Sequence, residues 1–172
     1  MKKMTLVCLL VAAFFCLASS AEAAYLVRPY GTVGGTVIEL PGTSDWDTTR
    51  YGGGVQGLYQ TFENFYFGID LAFIHAYWYN FGWDVEYLNL LAVAEYHKGI
   101  FLLQAGLGPY FGTGINDTVT FGSMFTIGVD IPINERLAIA LLARIEVVFQ
   151  DWYNGDGTTF MPGGMFGLSI KF

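Results

Sequence analysis

The chain has 172 residues, of which 53% are hydrophobic, 17% aromatic and only 13% charged, and its formal net charge is −7. This length suits a single domain, and the acidic balance excludes a basic stripe for binding nucleic acid. Both cysteines, Cys8 and Cys16, precede residue 24. The remainder of the chain therefore has no thiol for a disulfide, a nucleophile or a metal site.

The first 23 residues have the pattern of a secretory signal peptide. Two lysines follow Met1, an apolar run extends over residues 6–17, and Ala21-Glu22-Ala23 matches an A-x-A cleavage site. A membrane helix that is retained is the alternative, although the apolar run is short for a membrane span. We predict a signal peptide over residues 1–23 and one mature domain over residues 24–172.

The mature region repeats one theme, in which about ten residues alternate between apolar and polar or small side chains before a break. Successive side chains of a strand point to opposite faces, so this alternation predicts strands with one apolar face. The seventh segment could be read as a helix, but Arg144 and Glu146 are two residues apart and share a strand face. We predict eight strands, over residues 25–37, 51–61, 65–76, 85–96, 100–112, 119–131, 137–149 and 160–172.

The predicted connections alternate between short and long. The short ones cover residues 62–64, 97–99 and 132–136. The long ones are rich in Gly, Asp, Asn and Thr and cover residues 38–50, 77–84, 113–118 and 150–159. Transmembrane β-barrels have short turns at the periplasmic rim and long loops at the other. We therefore predict an all-β, closed, antiparallel up-and-down transmembrane barrel of eight strands, with both termini periplasmic and the long loops extracellular.

The last segment is an apolar strand that ends on an aromatic residue. In a closed barrel it pairs with the first strand and leaves no exposed edge. It resembles the C-terminal strand of bacterial outer-membrane barrels, which ends in Phe and is read by the barrel assembly machinery. The resemblance implies an assembly signal on the apolar face of this strand, made of Phe166, Leu168, Ile170 and Phe172.

A wider resemblance covers the whole mature region. The segment Leu88–Gly112, LNLLAVAEYHKGIFLLQAGLGPYFG, is similar to the central hairpin of the outer-membrane β-barrel superfamily. The Gly- and Tyr-rich chain resembles small members of the OmpA/OmpX type. This resemblance implies the bacterial outer membrane as the location, with outer-membrane lipid and lipopolysaccharide as partners, and we expect a monomer.

The polar face of the predicted strands carries many glycines and few charges. An eight-stranded barrel is only just wide enough for its own side chains, so this face is expected to line the lumen. Breaking a buried ion pair costs about 3–5 kcal/mol, so the inward charges are expected to form networks that close the lumen. A gated path for protons or ions is the alternative. The seven predicted inward charges are Arg28, Asp70, Glu95, Asp130, Arg144, Glu146 and Lys171.

The predicted external loops and their rims are acidic, with Arg50 as the one positive residue among them. Their carboxylates are Glu39, Asp45, Asp47, Asp84, Glu86, Asp117, Asp151 and Asp156. Such a rim can hold divalent cations shared with lipopolysaccharide phosphates, or be a solvated acidic surface. The tryptophans lie in or beside the same loops, as an interfacial girdle or a surface that captures an external ligand. They are Trp46, Trp78, Trp83 and Trp152.

No enzymatic activity, cofactor or metal site is predicted. Hydrolytic enzymes on small barrels need a His with a nearby Ser and an orienting acid. His75 is expected on the lipid-facing side near the outer rim, His97 at a periplasmic turn, and Ser123 on a strand not adjacent to that of His75. We predict a structural or surface-interaction role carried by the loops. The alternatives are a narrow channel or transporter for ions or small hydrophobic molecules, and a soluble periplasmic calycin-like barrel with its apolar face inward.

Overall fold

A computed structural model describes residues 24–40, 43–78, 83–113, 119–149 and 158–172. They form eight antiparallel strands in chain order, and the eighth strand pairs back with the first, so the barrel is closed. The predicted fold class is confirmed, whereas the predicted signal peptide lies outside the described residues. The strands are β1 (Tyr25–Leu40), β2 (Thr43–Phe62), β3 (Phe65–Trp78), β4 (Trp83–Lys98), β5 (Phe101–Thr113), β6 (Val119–Pro132), β7 (Leu137–Val148) and β8 (Thr159–Lys171).

The first hairpin is much longer than its sequence pattern indicates. β1 continues to Leu40 and β2 begins at Thr43, with Leu40 paired to Thr43 and Val37 paired to Trp46. The predicted loop over residues 38–50 is therefore wrong. The alternation of apolar residues stops before the strands do, because backbone hydrogen bonds can extend a hairpin beyond the part that has an apolar face.

The strands are strongly staggered around the barrel. A path through directly paired residues leaves β1 at Val27, reaches Phe160 on β8 and returns to β1 at Val37, ten residues along the strand (37 − 27 = 10). The intermediate residues of this path are Gly57, Ile69, Ala92, Leu107, Ser123 and Val147. Such a stagger requires the strands to tilt against the barrel axis, which brings residues distant in sequence to the same height in the lumen.

Three short turns define one rim of the barrel, named here the turn rim; the opposite end is the loop rim. Asn64 and Gly99 have positive φ angles of 75° and 63°, a conformation that Gly and Asn adopt most readily. In the third turn, Asn134 Oδ1 accepts hydrogen bonds from the backbone N–H groups of Arg136 and Leu137, both at 2.9 Å. The first residues of β1 and the last of β8 lie at the same turn rim.

The two faces of the sheet have the opposite polarity to those of a water-soluble barrel. Large apolar side chains point outward, and Leu107 retains 64% of its exposure. Arginine, glutamine and carboxylate side chains point inward and are buried. This orientation contradicts the alternative of a calycin-like barrel with an apolar interior. Within the described ranges, no helix is long and apolar enough to cross a membrane.

Candidate functional site: two interior ion-pair networks

The lumen near the turn rim is filled by a network centred on Arg28. Its guanidinium makes a bidentate contact with Glu95, at 2.7 Å from Nη1 to Oε2 and 3.0 Å from Nη2 to Oε1. Nη1 also donates to Gln56 Oε1 at 2.8 Å, and Nε donates to Ser169 Oγ at 2.8 Å. The planar guanidinium has donors in several directions, which lets one residue of β1 connect to β2, β4 and β8.

Four further contacts complete this turn-side network. Ser169 Oγ donates to Asp130 Oδ1 at 2.8 Å, and Gln104 Nε2 donates to Glu95 Oε2 at 2.8 Å. Gln56 and Gln104 join through their amides, and His97 Nε2 lies 2.5 Å from Glu95 Oε1. Arg28 faces both Glu95 and Asp130, so the network has one formal negative charge in excess when His97 is neutral. The turn-side network is Arg28, Gln56, Glu95, His97, Gln104, Asp130 and Ser169.

A second network fills the middle of the lumen around Glu146. Arg50 Nη1 contacts Glu146 Oε2 at 2.5 Å, and Arg144 Nε donates to Glu146 Oε1 at 2.7 Å. Arg144 Nη2 also contacts the same carboxylate. Asn89 Nδ2 donates to Oε1 at 3.2 Å. One carboxylate therefore receives two arginines, one from β2 and one from β7.

The second carboxylate of this central network is Asp70. Arg144 Nη1 lies 2.8 Å from Asp70 Oδ2, and Tyr30 OH donates to Asp70 Oδ1 at 2.7 Å. Arg50 adds a hydrogen bond to Tyr87 OH at 3.0 Å and another to the carbonyl of Met161 on β8 at 2.6 Å. Two arginines thus face two carboxylates, and the network is neutral. The central network is Tyr30, Arg50, Asp70, Tyr87, Asn89, Arg144 and Glu146.

Six of the seven predicted inward charges lie buried in these two networks, and Lys171 lies exposed at the turn rim. Arg50 was predicted at the external rim, and this is wrong, because the side chain is fully buried in the lumen. β2 begins at residue 43, so position 50 is inside a strand and its even number places it on the inward face. His97 was predicted at a turn; it is the second-last residue of β4 and buried against Glu95, with which it shares a face.

Three of the predicted assembly residues lie on the outer face of β8, and Phe172 directly follows its last residue. Phe166, Leu168 and Phe172 are exposed and Ile170 is half-buried. The backbone N–H of Phe172 donates to the carbonyl of Tyr25 at 2.9 Å, which closes the barrel at the turn rim. Their role as an assembly signal stays a prediction. The aromatic girdle also stays a prediction, since its four members lie outside the described side chains: Trp46, Trp78, Trp83 and Trp152.

His75 lies on the outer surface near the loop rim, between two carboxylates. Its Nε2 is 3.2 Å from Asp84 Oδ1 and its Nδ1 is 3.9 Å from Glu86 Oε1. The ring of Tyr51 is 5.0 Å from the imidazole, between ring centroids. Both carboxylates are on the outward face of β4. Their spacing of two residues already predicts from the sequence that they share a strand face. Ser123 is on β6, three strands away from His75 on β3.

A metal centre is not evident in the part of the chain that the structure describes. Within it there is no group of three or more His, Cys, Asp or Glu side chains arranged to hold an ion. The two nitrogens of His75 face different carboxylates, so its partners do not converge on one point. The six remaining carboxylates predicted at the loops lie outside the described side chains: Glu39, Asp45, Asp47, Asp117, Asp151 and Asp156.

A closed eight-stranded barrel with an apolar exterior and a polar, ion-paired interior is the architecture of the small bacterial outer-membrane barrels. Solved structures with this fold include Neisserial surface protein A, with a TM-score of 0.68 and 15% identity over 88% of this chain and 100% of that one. Ail, the attachment invasion locus protein of Yersinia pestis, has a TM-score of 0.54 and 13% identity over 88% and 100%. The outer membrane protein OprG from Pseudomonas aeruginosa has a TM-score of 0.53 and 16% identity over 87% and 96%.

These likenesses confirm the resemblance to small outer-membrane barrels at the level of the fold. No protein-family model matches the chain. No curated protein matches it in sequence.

Proposed function

We propose that the protein is an integral outer-membrane barrel with a closed lumen, which anchors extracellular loops with a structural or surface-interaction role. The observation that supports this proposal most is the filling of the lumen by the turn-side and central networks. Seven charged side chains are buried there, each with no more than 6% exposure. They are Arg28, Arg50, Asp70, Glu95, Asp130, Arg144 and Glu146.

The networks also favour a closed lumen over the alternative of a narrow channel. Arg50 connects β2 to Glu146 on β7 and to the Met161 carbonyl on β8, so its side chain crosses the interior. Arg28 connects β1 to Glu95 on β4. Opening a path would separate buried ion pairs, at about 3–5 kcal/mol for each charge left without a partner.

Electrical recording in planar lipid bilayers tests the closed lumen. We expect no steady conductance from the purified protein, while a double variant that empties the centre, Arg50→Ala with Glu146→Ala, is expected to show openings if it folds. The conservative double variant Arg50→Lys with Glu146→Asp keeps both charges and is the control for effects of substitution as such. Steady openings of the unmodified protein would favour the channel or transporter alternative.

The outer-membrane location and orientation can be tested together. On an unboiled SDS gel of outer-membrane fractions, the protein is expected to migrate differently from the boiled sample, because a closed membrane barrel resists SDS. Epitope tags in the connections at residues 79–82 and 114–118 are expected to be accessible on intact cells. A tag in the turn at residues 63–64 is expected to be accessible only after the outer membrane is permeabilised. The reverse pattern would contradict the proposed orientation.

The proposed surface role of the loops can be tested only in intact cells. We propose that the barrel contacts lipopolysaccharide along its outer face, where Asp84 and Glu86 lie near the loop rim with 63% and 51% of their side chains exposed. These oxygens can share divalent cations with lipid phosphates. Replacing residues 79–82 or 114–118 with Gly-Ser segments is expected to reduce attachment to surfaces or change envelope integrity, while the gel shift is retained. Unchanged attachment and envelope integrity in both would argue against a role for these loops.

A further inference from the structure

A cavity of about 200 Å³ opens at the turn rim. It lies between the β4–β5 turn, which contributes Gly99 and Ile100, and the β6–β7 turn, which contributes Asn134 and Glu135. An apolar cavity of about 150 Å³ accommodates benzene, so this one has room for a molecule of about six to eight non-hydrogen atoms. Its volume therefore suits a small organic ligand.

Asp130 lines this cavity and is 94% buried, from an exposure of 6%. Its Oδ1 accepts the hydrogen bond from Ser169. Its Oδ2 is 3.6 Å from Arg28 Nη2, which is too long for a hydrogen bond, and no other donor among the described residues contacts it. A carboxylate oxygen can accept more than one hydrogen bond, so Asp130 Oδ2 has an unused capacity to accept one beside the cavity.

The charge around the cavity favours a cation. With His97 neutral, the turn-side network has one formal negative charge in excess, because Arg28 makes its bidentate contact with Glu95 and lies farther from Asp130. Glu135 and Lys171 also line the cavity, and their charges cancel. His97 lines it as well, with Nε2 turned to Glu95. A ligand that carries N–H donors and a positive charge complements this excess.

The remaining wall of the cavity is apolar. Ile100, Pro132, Leu137 and Ala138 supply carbon surface between the polar groups. A fully hydrated metal ion would leave this surface unused, whereas a short alkyl chain would cover it. The combination of one donor-deficient carboxylate and an aliphatic wall is the chemistry that recognises an alkylammonium ion.

We propose that this cavity binds a small free aliphatic amine in its ammonium form, with a chain of four or five carbons. The ammonium group donates to Asp130 Oδ2, and the alkyl chain packs against Leu137 and Ala138. The site is separate from the proposed surface role of the loops, and it would be accessible from whichever compartment faces the turn rim.

The test is a titration of ¹⁵N-labelled protein in detergent micelles with 5-amino-1-pentanol, which carries one ammonium group, monitored by NMR at constant ionic strength. We expect saturable shifts of the amide signals of Gly99, Leu137 and Lys171. The uncharged 1,5-pentanediol, of equal length, is expected to give shifts about tenfold weaker or none, since a hydrogen bond between charged groups contributes more than about 1.4 kcal/mol. Equal binding of the diol would overturn the proposal.

Two variants locate the site. Asp130→Asn keeps an acceptor for Ser169 but removes the charge, and is expected to weaken binding about tenfold or more. Ala138→Leu keeps every charge and fills the cavity, and is expected to abolish binding even if Asp130→Asn does not fold. Glu63→Gln, at the exposed β2–β3 turn, is the matched control and is expected to bind as the unmodified protein does. Unchanged binding by Ala138→Leu, or equal weakening by Glu63→Gln, would show non-specific attraction to an acidic protein.

Discussion

The central network predicts a large and specific loss of stability when Glu146 is replaced by Gln. Glu146 is fully buried and accepts contacts from both Arg50 and Arg144, whereas Asp70 pairs with Arg144 alone. The substitution preserves size and one carbonyl oxygen. It leaves two buried arginines and one carboxylate, and since Asp70 contacts only Arg144, Arg50 then has no charged partner.

The expected loss is about 3 kcal/mol in the free energy of unfolding. Removing one partner of a buried ion pair costs about 3–5 kcal/mol, and the lower end applies because the Gln carbonyl still accepts a hydrogen bond from one arginine. The measurement is urea-induced unfolding of the protein in lipid vesicles, followed by tryptophan fluorescence. A shift of the unfolding midpoint without a change of slope gives the difference directly.

Glu86→Gln is the control for this experiment, since Glu86 is on the outer surface and half exposed, and its replacement is expected to change stability by less than about 0.5 kcal/mol. The double variant Arg50→Met with Glu146→Gln is expected to lose less than the sum of the two single losses, because the unpaired charge of Arg50 is then absent. If Glu146→Gln and Glu86→Gln have the same stability, the central network does not support the barrel as described.

Four further substitutions test other features of the barrel. Leu107→Arg, on the outward face at mid-strand, is expected to destabilise the protein in vesicles by about 2–4 kcal/mol, and a neutral effect would indicate that this face meets water. Gly68→Ala places a Cβ atom 1.9 Å from the carbonyl oxygen of Gly57 and is expected to cost about 1–3 kcal/mol, whereas Gly164→Ala, with no atom within 4 Å, is expected to be tolerated. Phe172→Ser is expected to lower the heat-sensitive band in outer-membrane fractions without preventing refolding in detergent; normal assembly in cells would refute the proposed signal.

The sequence alone determined the strand number, the identity of the two faces and the inward position of most buried charges. These follow from the alternation of side chains with period two. The alternation is a property of each strand by itself and does not depend on which strands are its neighbours. Arg144 and Glu146 are an example, since their spacing places them on one face and the structure joins them. The alternation did not predict the first part of β2, because residues 43–50 are mostly polar. Arg50 was therefore assigned to the loops.

Only the tertiary structure decided which charges meet. Arg28 and Glu95 are 67 residues apart, and their contact depends on the stagger of ten residues that the closed sheet imposes. Stagger arises from the pairing of all eight strands, so no single segment encodes it. The same closure brings Asp130 and Lys171 to one cavity at the turn rim. Alternation therefore specifies the side of the wall on which a residue lies, whereas barrel closure specifies its neighbours.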